Sequence, residues 1–106
     1  MDIKHHFSSE NLKNIKGMFW NCGNLKKIDL SGFVGEVLTD ISLMFLGCEN
    51  LTLIDMRNFE CEKCDETNDM FKYISTSGNF IYNSSKINTK ILEELPVGWN
   101  KTDTKN

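Results

Sequence analysis

The dipeptide Met-Phe occurs at Met18-Phe19, Met44-Phe45 and Met70-Phe71, 26 residues apart each time. Self-similarity at a fixed period of about 20–50 residues marks an architecture whose units bury their apolar faces only against one another. The neighbours keep the register: Cys22 with Cys48, Leu25 with Leu51, Ile28 with Ile54, Asp29 with Asp55, Phe33 with Phe59. The period also runs backward, because Phe7, Leu12 and Ile15 share registers with Phe33, Leu38 and Ile41. Forward, Ile74 takes the register of Cys48, Ser77 that of Leu51, and Phe80 and Tyr82 those of Ile54 and Met56.

This register divides the chain. Residues 1–100 read as one repeat domain, with a partial rung over about 7–17, full rungs over 18–43 and 44–69, and a degenerate rung over 70–83. Within a rung, Ile28 and Leu30 alternate with Asp29, which predicts a short strand with one buried face. Stacked rungs pair such strands in parallel. Phe80-Ile81-Tyr82 is the expected last strand. Thr39-Asp40 ahead of Ile41, Met44 and Phe45 predicts one or two helical turns behind a polar cap. Ile87, Ile91 and Leu95 share a stripe between Ser84-Ser85 and Pro96, which predicts a capping helix over about 85–95. Val97 and Trp99 are expected to close over the last rung, and the polar residues 101–106 to form a disordered tail. The fold class expected is therefore an α/β repeat solenoid, leucine-rich-repeat-like, with short parallel strands and a C-terminal capping helix.

Charge and hydropathy narrow the partners. Twelve Lys and Arg stand against 15 Asp and Glu, a net charge of −3 with no basic stripe, which argues against nucleic acid. No stretch approaches the ~20 apolar residues of a membrane span. The start, Met-Asp-Ile-Lys-His-His-Phe, lacks the apolar core of a signal peptide. The chain is thus expected to stay in the cytoplasm or to be a piece of a longer protein. A first rung without a polar cap suggests self-association through that end.

Cys61-Glu62-Lys63-Cys64 is the one motif with reactive potential, as half a zinc site or as a redox pair. Glu60, Glu62, Asp65, Glu66 and Asp69 surround it, and negative neighbours raise a thiol pKa where a reactive cysteine needs it lowered. Cys64 also falls in the register of Leu12 and Leu38, so a core thiol is the simpler reading. Cys22 and Cys48 are one rung apart, within disulfide reach, but on the inside, where a free cysteine behaves as a small hydrophobe. Asp29 and Asp55 point outward on consecutive strands. Paired carboxylates suit acid–base work or calcium, yet Ile81 takes the third position, so a solvated, partly neutralised face is expected. His5-His6 reads as a chance pair.

The outward strand positions are Lys27, Asp29 and Ser31, then Leu53, Asp55 and Arg57, then Asn79, Ile81 and Asn83. Repeat proteins use such an array as an extended binding surface, and Leu53 and Ile81 would give it apolar contact points.

Met-Phe-x-x-Cys-x-x-Leu-x-x-Ile-Asp-Leu-Ser-x-Phe, followed by Thr-Asp-Ile-Ser-x-Met-Phe, resembles the repeat of BspA-like leucine-rich-repeat surface proteins, which recurs in mycoplasma-type lipoproteins. The resemblance covers about residues 7–82, and Gly78 through Leu95-Pro96-Val97-Gly98-Trp99 is similar to the terminator after the last repeat. It implies a cell-surface or secreted, non-enzymatic adhesion module for a protein or glycan ligand, with no cofactor and no catalytic residues to carry over. The other readings are an intracellular interaction or oligomerisation domain, and a metal or redox site at Cys61 and Cys64.

Overall fold

The computed structural model describes residues 15–30 and 38–105. Phe7, Leu12, His5, His6, Ser31 and Phe33 lie outside the described residues, and with them most of the expected partial rung over 7–17. Four short strands, β1 (Lys27–Asp29), β2 (Leu53–Asp55), β3 (Gly78–Tyr82) and β4 (Trp99–Asp103), form one sheet in the order β1-β2-β3-β4. All neighbours pair in parallel. Ile28 sits opposite Ile54, and Ile54 opposite Phe80, so the sequence period is also the strand register.

That register stacks like on like. Ile28, Ile54 and Phe80 form a buried column behind the sheet. Phe19, Phe45 and Phe71 form a second column, with ring centroids 5.6 and 5.8 Å apart and planes within 5° of parallel. Met44, Leu51, Met56 and Phe59 fill the space between them with no exposed surface. Cys64 is fully buried, and its thiol lies 3.5 Å from the carbonyl of Leu38, one period earlier.

The segments carrying Met-Phe are not helical turns. The amides of Ile41, Leu43, Phe45 and Gly47 donate to the carbonyls of Glu66, Asn68, Met70 and Lys72 in the next repeat, at 2.9–3.0 Å. The intervening amides of Leu46 and Cys48 close turns onto Leu43 and Phe45. A helix needs consecutive amides to point along its own axis, and here alternate ones are taken by the neighbouring repeat. The alternation requires two left-handed residues per repeat. One column is Gly17, Leu43 and Asp69, with φ of +67, +58 and +55°. The other is Asn21, Gly47 and Tyr73, with φ of +58, +80 and +61°. Asp40 fixes the start of the second such segment, its Oδ1 accepting from the amide and hydroxyl of Ser42 (3.0 and 2.7 Å).

The C-terminal part departs from expectation in three ways. First, the helix is a 3₁₀ helix over Thr89–Glu94, capped by the Asn88 side chain, which accepts from the Lys90 amide at 3.0 Å. It does not start at Ser84 or Ser85, because these lie in a turn over residues 84–86 and Ile87, which follows, is held in a bridge to Cys61. The Cys61 amide donates to the Lys86 carbonyl (2.8 Å), and the Asn88 amide donates back to Cys61 (3.3 Å). Ile87, Ile91 and Leu95 are nevertheless all buried. Secondly, β3 is not the last strand, and the expected tail at 101–106 is ordered as β4 through Asp103. Asp103 Oδ1 accepts from the Ser84 amide (3.1 Å), and the Thr104 amide donates to Tyr82 (2.7 Å). These bonds tie the strand down where composition alone suggested fraying. Thirdly, Trp99 closes over the core, its Nε1 donating to the Ser75 carbonyl at 2.7 Å, whereas Val97 stands fully exposed. Among the described residues, no helix is long and apolar enough to cross a membrane.

Candidate binding face

Because strand side chains alternate, burying Ile28, Ile54 and Phe80 turns their neighbours outward. One outer row runs Lys27, Leu53, Asn79 and Asn100, and the next runs Asp29, Asp55, Ile81 and Thr102. Six of the nine positions read from the sequence thus lie together on one face. Leu53 and Ile81 are half-buried there, while Lys27, Asp29 and Asn79 are exposed. Arg57 and Asn83 lie beyond the ends of β2 and β3 and are engaged locally. Asn83 Oδ1 accepts from the amide and hydroxyl of Ser85 (2.9 and 2.6 Å). Ser31 falls outside the described residues.

Asn100 and Thr102 extend both rows onto β4, and the period could not find them. Asn100 is 21 residues after its partner Asn79, not 26. The only trace in the sequence is the polar stretch behind Trp99. Asn100 Nδ2 reaches Asn79 Oδ1 at 3.3 Å, which links the two strands through their side chains. A groove of about 420 Å³ crosses the upper row, lined by Lys27, Thr52, Leu53, Asn79 and Asn100, with Ser77, Gly78 and Gly98 at its edge. Gly78 is required: a Cβ there would lie 2.7 Å from both the Thr52 carbonyl oxygen and the Trp99 ring.

The electrostatics of the lower row are settled by one pair. Arg57 grips Asp55 through Nε (3.0 and 3.1 Å) and Nη2 (2.9 Å). That hydrogen bond, then the charges of Asp55 and Asp29, push the Arg57 pKa further up. A carboxylate held in this way is not a free general base.

Cys61 and Cys64 are fully buried. The hydrogen bond to Cys64 and burial both push the Cys61 pKa up, the reverse of what a thiolate nucleophile or ligand requires. Among the described residues, no three His, Cys, Asp or Glu side chains gather as a metal site. Cys48 is buried and its thiol donates to the Phe19 carbonyl at 3.0 Å, while Cys22 is only half-buried. All four cysteines are free thiols. Burial pushes the Cys48 pKa up to about 11.

No family model, curated protein or solved structure matches the chain at a significant level.

Proposed function

We propose that this protein is a non-enzymatic binding module, a short leucine-rich-repeat-like solenoid of the BspA-like surface type that presents its strand face to a protein or glycan ligand. The observation that carries the reading is the pair of outer rows, continuous over four strands and crossed by a groove with an apolar point at Leu53. A rigid sheet of this kind fixes side chains in place before a ligand arrives, which lowers the entropic cost of binding. The same core argues against chemistry. Cys48, Cys61 and Cys64 are packed away, burial pushes the Cys48 and Cys61 pKa values up, and Asp55 on the face is engaged by Arg57.

Screening the full chain against arrays of immobilised glycans and surface proteins tests the proposal. A ligand found in this way should lose at least about ten-fold in affinity with the double variant Leu53→Thr, Ile81→Thr, which keeps strand-forming side chains and puts no charge opposite Asp55. Ligands insensitive to that variant would overturn the assignment to the strand face.

A further inference from the structure

Tyr73 occupies a position its side chain does not suit. It is the third member of the left-handed column whose other members, Asn21 and Gly47, are the residue types that tolerate positive φ. A bulky aromatic residue with φ of +61° is a genuine outlier. Burial does not offset the strain, because the side chain is 70 % exposed. Strain of this kind is held in place by the surrounding structure and clusters at binding and active sites.

The surroundings form such a site. A groove of about 670 Å³, within the range of small-ligand sites, is lined by Asn21, Gly47, Glu49, Tyr73, Ser75 and Thr76 with Ile74 beneath. It runs along the left-handed column and therefore crosses three repeats. Its far wall is held by the C-terminal strand, since Trp99 Nε1 binds the Ser75 carbonyl and Gly98 packs its backbone against the Thr76 carbonyl.

We infer that this groove binds a neutral saccharide, with a sugar ring stacked on Tyr73 and its hydroxyls hydrogen-bonded by Asn21, Glu49, Ser75 and Thr76. Three observations select that chemistry. Among the described residues, Glu49 is the one charged residue of the lining, and one cation, the Lys72 Nζ, stands 5.3 Å from the Tyr73 ring centroid, so neither sign of charge dominates the site. The lining offers the Asn21 amide and the Thr76 hydroxyl as donors, and the Glu49 carboxylate and the Ser75 hydroxyl, which itself donates to the Ser77 carbonyl (3.0 Å), as acceptors for vicinal hydroxyl groups. The backbone of the floor is already used: the Asn21 amide donates to Leu46 and the Gly47 amide to Lys72. An extended peptide, whose own amides and carbonyls need main-chain partners, is poorly served there.

The experiment is titration of the isotope-labelled full chain with neutral trisaccharides of glucose, N-acetylglucosamine, mannose and galactose, followed by amide chemical shifts. At least one sugar should move Asn21, Gly47, Glu49 and Tyr73 together. Tyr73→Gly removes the ring while relieving the backbone, so it should melt higher than wild type yet bind that sugar at least about ten-fold more weakly. Tyr73→Phe should retain binding. The inference is overturned if none of the sugars shifts the groove, if Tyr73→Gly binds as wild type does, or if neutral hexapeptides bind there and sugars do not. Strand-face binding rests on Leu53 and Ile81 and this groove on Tyr73, so failure of one reading is distinguishable from failure of the other.

Discussion

Residues 38–71 and residues 72–105 cover their strands by different means. The first region stacks like residues at a fixed interval, with Phe45 between Phe19 and Phe71 and Ile54 between Ile28 and Phe80. The second abandons the interval. It shortens the last crossover to 21 residues, inserts a 3₁₀ turn, and lays β4 beside β3 with Trp99 as the closing side chain. Lys101 falls in the row of the buried Phe80 but is exposed, and an edge strand with a charge on its inner side discourages a further strand. Periodic stacking propagates a core, and ending one takes residues that break the period. The boundary is visible in the third repeat, which keeps the backbone while losing the fit of its side chains. Thr67 takes the column of Ile15 and Ile41, and its hydroxyl is buried without a hydrogen-bond partner.

The contrast can be broken or sharpened by experiment. The largest effect is expected within the stacked region, where Phe45→Ala should cost about 3–5 kcal/mol in urea denaturation. A loss below that of an ordinary surface substitution would show that the column does not carry the core. Next comes alkali. The Cys48 pKa is raised from 9.0 to about 11 by burial, so its contribution is complete below about pH 9 and disappears as pH climbs toward 11. The stability difference between wild type and Cys48→Ala should shift across that window by something on the order of 2 kcal/mol, and a flat difference would contradict the burial. In the closing region, Trp99→Phe keeps the ring but orphans the Ser75 carbonyl, for a loss of about 1–2 kcal/mol by thermal melting.

Two smaller effects complete the series. Thr67→Val should raise stability by roughly 1 kcal/mol, since it removes a buried hydroxyl with no partner and keeps the shape. A loss on that substitution would mean the hydroxyl is satisfied in solution. Acid acts on the other region. The Ser84 hydroxyl, then the amides of Lys105 and Ser84, hold the Asp103 pKa below its usual value. Its contribution is present above the unfolded pKa near 3.8 and is lost as pH falls through the lower folded value. Amide protection in β4, measured relative to the intrinsic exchange rate at each pH, should therefore fall at low pH before protection in β2 does, and simultaneous loss would contradict a separately anchored strand.

Much of this arrangement was legible in the sequence. The period placed Lys27–Asp29, Leu53–Asp55 and Phe80–Tyr82 on paired strands and put Cys64 in the column of Leu38. It also placed Lys27, Asp29, Leu53, Asp55, Asn79 and Ile81 on one outer face. It misled at Thr39–Phe45, where an i, i+3, i+4 apolar pattern describes a helix and a chain of tight turns equally well. The two differ only in where the amides point, which depends on a partner one repeat away. It misled again at residues 84–103. Ser84 and Ser85 are good caps by type, but they lie in a turn closed by the Lys86 amide onto Asn83, Cys61 bridges Ile87 directly after it, and Asp103 binds back to Ser84. Neither of the last two contacts leaves a local trace.

The amino-acid sequence by itself determined the repeat length, the residues that stack, and hence the register of β1, β2 and β3, because each follows from which side chains must leave water at which interval. Only the tertiary structure decided the backbone between the strands and the way the array ends. Leu43 donates its amide to the next repeat, and the carbonyls of Asn68 and Lys72 accept from the preceding one directly before Asp69 and Tyr73; all three residues are held left-handed, a conformation they do not choose on their own. A backbone direction fixed by a neighbouring repeat overrides local preference, and at Tyr73 that conflict marks the edge of the groove.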